Sequence, residues 1–244
     1  MPNFNKGNFL EKAINSVINQ TFKKWHLYII DDNSNDNSKL IINKFNSMDN
    51  ITVINLDKKE GPGFCRIYII NKTSSKYIAF LDSDDYWSEN KLKDQIDFME
   101  KNNYQFTYSD YVPFTEKNSH KSFKKKIPVP SSFNFTSFIQ NTSIAMSSVI
   151  IKRSITGKIK FENLKICEDY LYKCEILKKI ENAFRCENVL MYYRITKNSL
   201  QSNKFRNVYW IWYINKKFNK LKVLQNLKSI FFISLNSLKK YGFK

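Results

Sequence analysis

Apolar positions along the first hundred residues recur with two different periods, and the switches between them predict the elements. Phe9, Leu10, Ala13, Ile14, Val17 and Ile18 fall three and four apart, one stripe of a helix running from near Asn8 to Gln20-Thr21. Leu27-Tyr28-Ile29-Ile30 is a short apolar run that reads as a strand and ends in Asp31-Asp32. Turn and cap residues from Asn33 to Ser38 then open a second helix, expected to point Leu40, Ile41 and Phe45 inward. Ile51 to Leu56 reads as strand, Gly61-Pro62-Gly63 breaks the chain, and a helix is expected through Arg66 to Lys72. Tyr77-Ile78-Ala79-Phe80-Leu81 follows as a buried strand. Strands alternating with helices imply crossover connections, hence an α/β fold with a mainly parallel sheet flanked by helices. Further on, Lys91 to Asn102 reads as helix, Phe106 to Ser109 as a short strand, residues 113–133 as loop, Ser147 to Ile151 as strand and Glu168 to Leu177 as helix.

The chemistry enters where the Tyr77 strand stops, because it delivers Asp82, Asp84 and Asp85 to one point. Three like charges at the edge of a core are costly unless a cation neutralises them, and hard oxygen ligands suit Mg²⁺ or Mn²⁺. A solvated acidic turn is the plain alternative for an isolated Asp-x-Asp. Open parallel sheets bind ligands beyond the carboxyl ends of their strands. Asp31-Asp32 and Asp82 to Asp85 both sit at such ends and are expected to face one crevice. Glu168 and Asp169 fall in the first turn of their helix, where compensation of the helix dipole explains acids by itself.

Charge changes the picture only near the end of the chain. The net charge over 244 residues is +18. From Asn188 to Lys244 there is no acid, against twelve lysines and arginines, so the basic surface belongs to the tail. Two apolar islands interrupt it, Tyr209 to Ile214 and Ile230 to Leu235, each too short to span a membrane. Such a basic amphipathic segment either docks on an anionic leaflet or packs on the rest of the molecule. No recognition motif accompanies the charge, so nucleic acid is not an expected partner. Cys65, Cys167, Cys174 and Cys186 form no Cys-x-x-Cys pair, and His26 and His120 are the only histidines. Free thiols in a reducing cytoplasm are expected. No signal peptide or spanning run is present in the sequence.

The residues in order then resemble a known family. Pro2-Asn3-Phe4-Asn5, Ala13-Ile14-Asn15-Ser16-Val17 with Gln20-Thr21-Phe22, Ile29-Ile30-Asp31-Asp32-Asn33-Ser34, Arg66, and Tyr77 to Asp85 are similar in order and spacing to glycosyltransferase family 2, which has the Rossmann-like GT-A fold. The second half resembles bacterial surface-polysaccharide members, including teichuronic-acid-type enzymes, through Asn141 to Val149, Glu168-Asp169-Tyr170 and Tyr193-Arg194 with Ser199, Ser202 and Lys204. The resemblance implies a hexosyltransferase-type enzyme: an inverting, metal-dependent transferase moving a sugar from a nucleotide-sugar donor, here expected to be a UDP-sugar, to a growing, lipid-linked surface glycan. It implies that Pro2 and Phe4 line the base pocket, that Asp32 accepts from the base, and that Arg66 lies near the base or diphosphate. Asp82 would approach the ribose or metal, Asp84 would ligate Mg²⁺ or Mn²⁺, and Asp169 would be the catalytic base. The expected organisation is a donor-binding half over 1–110, an acceptor-side half over 111–203 and a basic helical tail over 204–244. The expected location is cytoplasmic, peripheral on the inner face of the membrane.

Two departures stand out. The family's first strand, an apolar run just before Pro-x-Phe-Asn, is absent from a chain that starts at Met1, so either the true start lies upstream or the sheet lacks an inner strand. Ile67 and Ile69 stand where the family usually has Asn and Gly. A strand ending in Asp-x-Asp is also the signature of haloacid-dehalogenase-like phosphatases, but that motif comes early and continues to Thr or Val rather than Tyr86. A catalytically degenerate membrane-binding protein is the non-enzymatic alternative.

Overall fold

The computed structural model describes residues 1–117, 120–156, 164, 166–196 and 203–241. The first half builds a parallel three-stranded sheet, β1 (Pro2–Asn3), β2 (Leu27–Asp31) and β3 (Ile51–Asn55), in the order β1-β2-β3. The crossovers run through α1 (Gly7–Ile18) and α2 (Ser38–Asn43). The stripe predicted for α1 is the one buried: Leu10, Ala13, Ile14 and Val17 all face the sheet side of the core. Each fully buried Leu or Ile stabilises by about 1.5–3 kcal/mol. The helix starts hard against the cap of α2, since a Cβ on Gly7 would lie 1.8 Å from Asn37 Oδ1. In α2 the expectation for Leu40 fails. It is 71% exposed, while Ile42 and Phe45 are buried, because Leu40 is more than half a turn from Ile42 and the short helix cannot face both inward.

Helix α3 (Pro62–Lys72) leads into β4 (Tyr77–Ala79), which belongs to a second, mixed sheet of order β4-β9-β6-β10-β5. Its other strands are β5 (Tyr86–Trp87), β6 (Phe106–Lys117), β9 (Ile150–Lys152) and β10 (Ala183–Arg194). β6 and β10 run parallel, and the remaining pairs are antiparallel. β1 and β4 are thus edge strands of their two sheets, and β1 is two residues long where the family pattern led us to expect a missing strand. Strand β4 also stops short of its apolar run. Phe80 and Leu81 are buried just beyond it, with the Phe80 N–H donating to Val149 O at 3.3 Å.

Residues 113–133, expected as loop, are partly strand. β6 continues to Lys117 and pairs with β7 (His120–Phe123), while β8 (Ser132–Phe133) pairs with β10. Every residue of β7 is exposed, so no alternation marked it in the sequence. Likewise a single 3₁₀ turn, Met146–Ser148, precedes β9 and replaces the start of the strand expected from Ser147.

The remaining helices are α4 (Lys91–Lys101), α5 (Phe135–Phe138), α6 (Glu168–Leu177), α7 (Lys204–Lys217) and α8 (Val223–Tyr241). The inner faces of α7 and α8 dock on the rest of the molecule. Ile211 and Ile214 join the core, and the fully buried Asn215 accepts from Tyr170 Oη (2.7 Å) and donates to Asn226 Oδ1 and Ser229 Oγ, both 3.0 Å. The four cysteines are free, and Cys65, Cys174 and Cys186 are buried. Among the described residues no helix is long and apolar enough to cross a membrane.

Candidate active site

The acidic turn after β4 separates its three carboxylates into two kinds. Asp85 is buried and fully engaged: Ser147 Oγ donates to Oδ2 (2.6 Å) and the Arg194 N–H to Oδ1 (2.9 Å). Burial, followed by the charges of Asp84 and Asp82, holds its carboxyl well above the usual range. Asp85 therefore latches the turn to β10 and to the segment before β9. The same Ser147 Oγ accepts from the Asp82 N–H at 3.0 Å. Asp82 and Asp84 are left partly exposed, and each meets one cation. Arg66 Nη2 lies 2.6 Å from Asp82 Oδ1, and Lys6 Nζ 2.6 Å from Asp84 Oδ2.

The other acids come from the start of α6. Cys167 turns the chain into that helix with φ 63° and ψ 23°, a left-handed conformation that costs a non-glycine residue about 1–2 kcal/mol. That turn starts α6 with Glu168 and Asp169 close to Arg66. Arg66 Nη1 reaches Glu168 Oε1 at 3.0 Å, so one buried guanidinium ties the Asp82 turn to the first turn of α6. Burial opposes its charge, but Asp82 and Glu168 more than offset that and hold Arg66 protonated. The neighbouring acids are pushed in opposite directions. Burial raises Glu168 above the usual range against the pull of Arg66, with the Asp169 charge adding to the rise. Burial acts on Asp169 too, yet Lys173, 2.8 Å away, and then Arg66 bring its carboxyl below the usual range. Lys173 is itself fixed by donating to Ile144 O at 2.8 Å. The surroundings thus push the two adjacent carboxyls apart, with Asp169 the more acidic of the pair.

At the end of β2 the acids hold backbone. Asp32 accepts from the N–H groups of Glu60 (2.7 Å) and Gly61 (2.9 Å), and Asp31 from Asn3 Nδ2 (2.7 Å) and the Ser34 N–H (3.0 Å). Asp32 thereby positions the loop into α3, in which Gly61 adopts φ 93°. Pro2 lies in β1 and Phe4 just after it, with Lys59 Nζ 3.6 Å above the Phe4 ring. The ammonium of Met1 donates to Tyr28 O at 2.8 Å, and burial followed by the charge of Arg66 lowers it to about 5.

The structure thus joins Arg66, Asp82 and, through Glu168, the helix turn of Asp169 into one connected group. Asp84 stands beside it, and Pro2, Phe4 and Asp32 occupy the adjoining end of the first sheet. Sequence reasoning missed Lys6, Lys173, Ser147 and Arg194 as partners. Only Lys173, four residues from Asp169 on one helix face, carried a readable signal. Ser199 and Ser202 lie outside the described residues.

The residues fit a hard divalent cation. Among the described residues no three His, Cys, Asp or Glu side chains form a cage able to hold a metal alone. Asp82 and Asp84 offer carboxylate oxygens at a partly exposed edge. One or two carboxylates completed by substrate phosphates is how Mg²⁺ is commonly held.

Comparison with known proteins bears on this site. The family model described as glycosyl transferase family 2 matches residues 1–162. A Bacillus subtilis glycosyltransferase named for teichuronic acid biosynthesis is 28% identical over 240 residues, covering 98% of this chain and 94% of that protein. An Escherichia coli UDP-Glc:α-D-GlcNAc-diphosphoundecaprenol β-1,3-glucosyltransferase is 30% identical over 213 residues, 87% of this chain and 82% of that one. The crystal structure of S. aureus TarS 1–349 in complex with UDP-GlcNAc superposes with a TM-score of 0.73 at 17% identity, over 98% of this chain and 71% of that one. That likeness establishes a GT-A-like fold.

Proposed function

The chain belongs to glycosyltransferase family 2 and is a glycosyltransferase, and from that premise we propose that it is an inverting, metal-dependent hexosyltransferase of bacterial surface-polysaccharide synthesis, taking a UDP-sugar donor and a lipid-linked glycan acceptor. The observation that carries the reading is the chain of contacts Asp82–Arg66–Glu168 ending beside Asp169, because it ties the helix turn that holds Asp169 to the acids of the donor side. The acceptor hydroxyl attacks the anomeric carbon from the face opposite the leaving group. One C–O bond forms, the bond from that carbon to the diphosphate oxygen breaks, and Asp169 takes the hydroxyl proton. Asp84, with Asp82 beside it, would hold Mg²⁺ or Mn²⁺. When bound, that ion supplies Lewis-acid stabilisation of the departing diphosphate charge. Pro2 and Phe4 line the base pocket, with Lys59 giving up its place over the Phe4 ring. Asp32 shapes that pocket through the 60–61 backbone and accepts from the base.

UDP-GlcNAc in the S. aureus structure and the diphosphoundecaprenol-linked acceptor in the name of the E. coli relative support the donor and acceptor classes. Residues 1–110 then form the donor half, 111–203 the acceptor half and 204–244 a basic tail, with the enzyme working at the cytoplasmic face of the membrane. Membership of the family leaves the phosphatase reading without support. The test is Asp169→Asn, which keeps the shape of the side chain and removes its basicity. UDP affinity should stay within about twofold while transfer falls by roughly 10²–10⁴, the usual contribution of a general base. Wild-type transfer rates in that variant would remove Asp169 from the mechanism.

A further inference from the structure

α8 has two unlike faces. Asn226, Ser229 and Asn236 face the body of the molecule, where the Ser229 hydroxyl donates to Ile139 O and Asn236 Nδ2 to Gln140 O. At about 100° per residue, Leu224, Leu227, Phe231 and Leu235 fall within an arc of about 80° on the other side. They are 80, 51, 59 and 36% exposed. Single exposed apolar residues need no explanation, but four in one stripe over three turns mark a surface that meets something. Lys228 and Lys239 border the same arc, both exposed.

Beside the C-terminal half of the stripe opens a cavity of about 740 Å³ between the 124–130 segment and α8. Lys124, Lys125, Lys126 and Lys239 line it together with Pro128 and Val129, and Lys126 there pairs with Asp110 at 3.4 Å. Lys239 thus belongs both to the cavity and to the flank of the stripe, so the two features form one surface. Its charge identifies the occupant. Residues 188–244 hold no acid. A second copy meeting this face across a two-fold axis would set the same lysines against each other. An anionic bilayer instead offers acyl chains to the stripe and phosphates to the lysines.

We propose that α8 and the lysine-lined cavity dock this protein on an anionic lipid bilayer, with Leu224, Leu227, Phe231 and Leu235 entering the headgroup–acyl boundary and Lys124, Lys125 and Lys239 facing lipid phosphates. This gives the membrane-peripheral part of the functional reading a definite surface, and it rests on that reading only for the purpose of the docking. The test uses the full chain with vesicles of neutral phosphatidylcholine, or of the same lipid with phosphatidylglycerol added, at low and high salt. The wild type should cosediment with the anionic vesicles only, keeping a salt-resistant remainder when charge is screened to about 3 Å at 1 M. Leu224→Ser/Leu227→Ser/Phe231→Ser should lose that remainder. Lys124→Ser/Lys125→Ser/Lys239→Ser should need roughly tenfold more anionic lipid for half-binding. Both variants alter exposed side chains, so their melting temperatures should match the wild type. Wild-type protein left in the supernatant, or apolar and lysine variants that both bind like the wild type, would overturn the proposal. So would a wild-type dimer in sedimentation velocity that the apolar variant abolishes without any change in vesicle binding. Hydrolysis of the donor without vesicles reports on the transferase reading separately: its absence in the wild type counts against that reading alone, and its retention in both variants confines their defect to docking.

Discussion

At the scale of single residues, the site works by setting carboxyls with similar intrinsic acidity into unlike surroundings, and Lys173 is the clearest lever. Lys173 is buried and lies 2.8 Å from Asp169, so its charge and hydrogen bond, with the charge of Arg66, outweigh the burial that would protonate this carboxyl, the proposed base. In Lys173→Met that offset goes and the burial stays. The acid limb of the transfer rate against pH should therefore move upward, with UDP affinity little changed. A lysine of purely structural importance would lower stability and leave the limb where it was. Lys91 gives the opposite case. Its ammonium is fully buried with no hydrogen-bond partner, 4.2 Å from the centre of the Trp87 ring, and burial lowers it to about 7. The unfolded chain keeps it near 10.5. Between those values folding releases a proton, so this group costs stability most fully below pH 7 and progressively less as pH rises toward 10.5. Lys91→Met should stabilise by a few kcal/mol at pH 6, since each tenfold change in acidity between the folded and unfolded chain is worth about 1.4 kcal/mol, and by less than about 1 kcal/mol near pH 10. Equal denaturation midpoints for the two proteins at pH 6 would contradict that account. The two lysines are not equally legible in the sequence: the four-residue spacing of Asp169 and Lys173 can be read, but no local pattern marks which lysine of a lysine-rich chain is buried.

At the scale of elements, legibility followed periodicity. α1, β2, β3 and α6 stood out because apolar spacing or clustered acids marked them. The β6–β7 hairpin did not, since a strand with no buried residue shows no alternation. The tail illustrates the same limit. Its islands left membrane docking and packing on the body both open. Ile211 and Ile214 are in the core, but the joint between α6, α7 and α8 is made by polar residues that read as surface. Asn215 uses its whole amide, accepting from Tyr170 Oη and Asn219 Nδ2 and donating to Asn226 and Ser229. An amide has no further capacity, so the joint is saturated. Asn215→Leu would leave several buried partners without a bond, each costing about 1–3 kcal/mol. A loss of about 2–4 kcal/mol in urea unfolding is expected, since partial relaxation offsets some of that sum. If the variant unfolds at the wild-type midpoint, the network does not hold the tail helices to the body. For the same reason, cutting the chain before α7 would test folding rather than membrane attachment.

At the scale of the whole molecule, the chain builds two sheets that share no strand pair, and the Lys6–Asp84 ion pair crosses the seam between their halves. What joins the halves is a continuous core running from Leu10 in α1 to Ile214 in α7, together with Arg66 bridging Asp82 and Glu168. A single core of that extent predicts one cooperative thermal transition. A donor nucleotide spanning from the Phe4 side to the Asp84 side should then shift the transition as a unit. At a hundred times its dissociation constant, UDP with Mn²⁺ contributes about 2.7 kcal/mol, or roughly 5–11 °C for a chain of this size. UDP without the metal should shift it less, because Asp82 and Asp84 would face the diphosphate with their own negative charge. Lys6 sharpens the comparison, since its ammonium already sits 2.6 Å from Asp84 and must yield some of that contact to an incoming cation. In Asp84→Ala the Mn²⁺-dependent part of the shift should vanish while the metal-free part remains, or even grows as the repelling charge is lost. A full Mn²⁺-dependent shift in that variant would place the cation elsewhere. Two separate transitions, of which UDP moves only one, would mean that the halves fold independently across the seam.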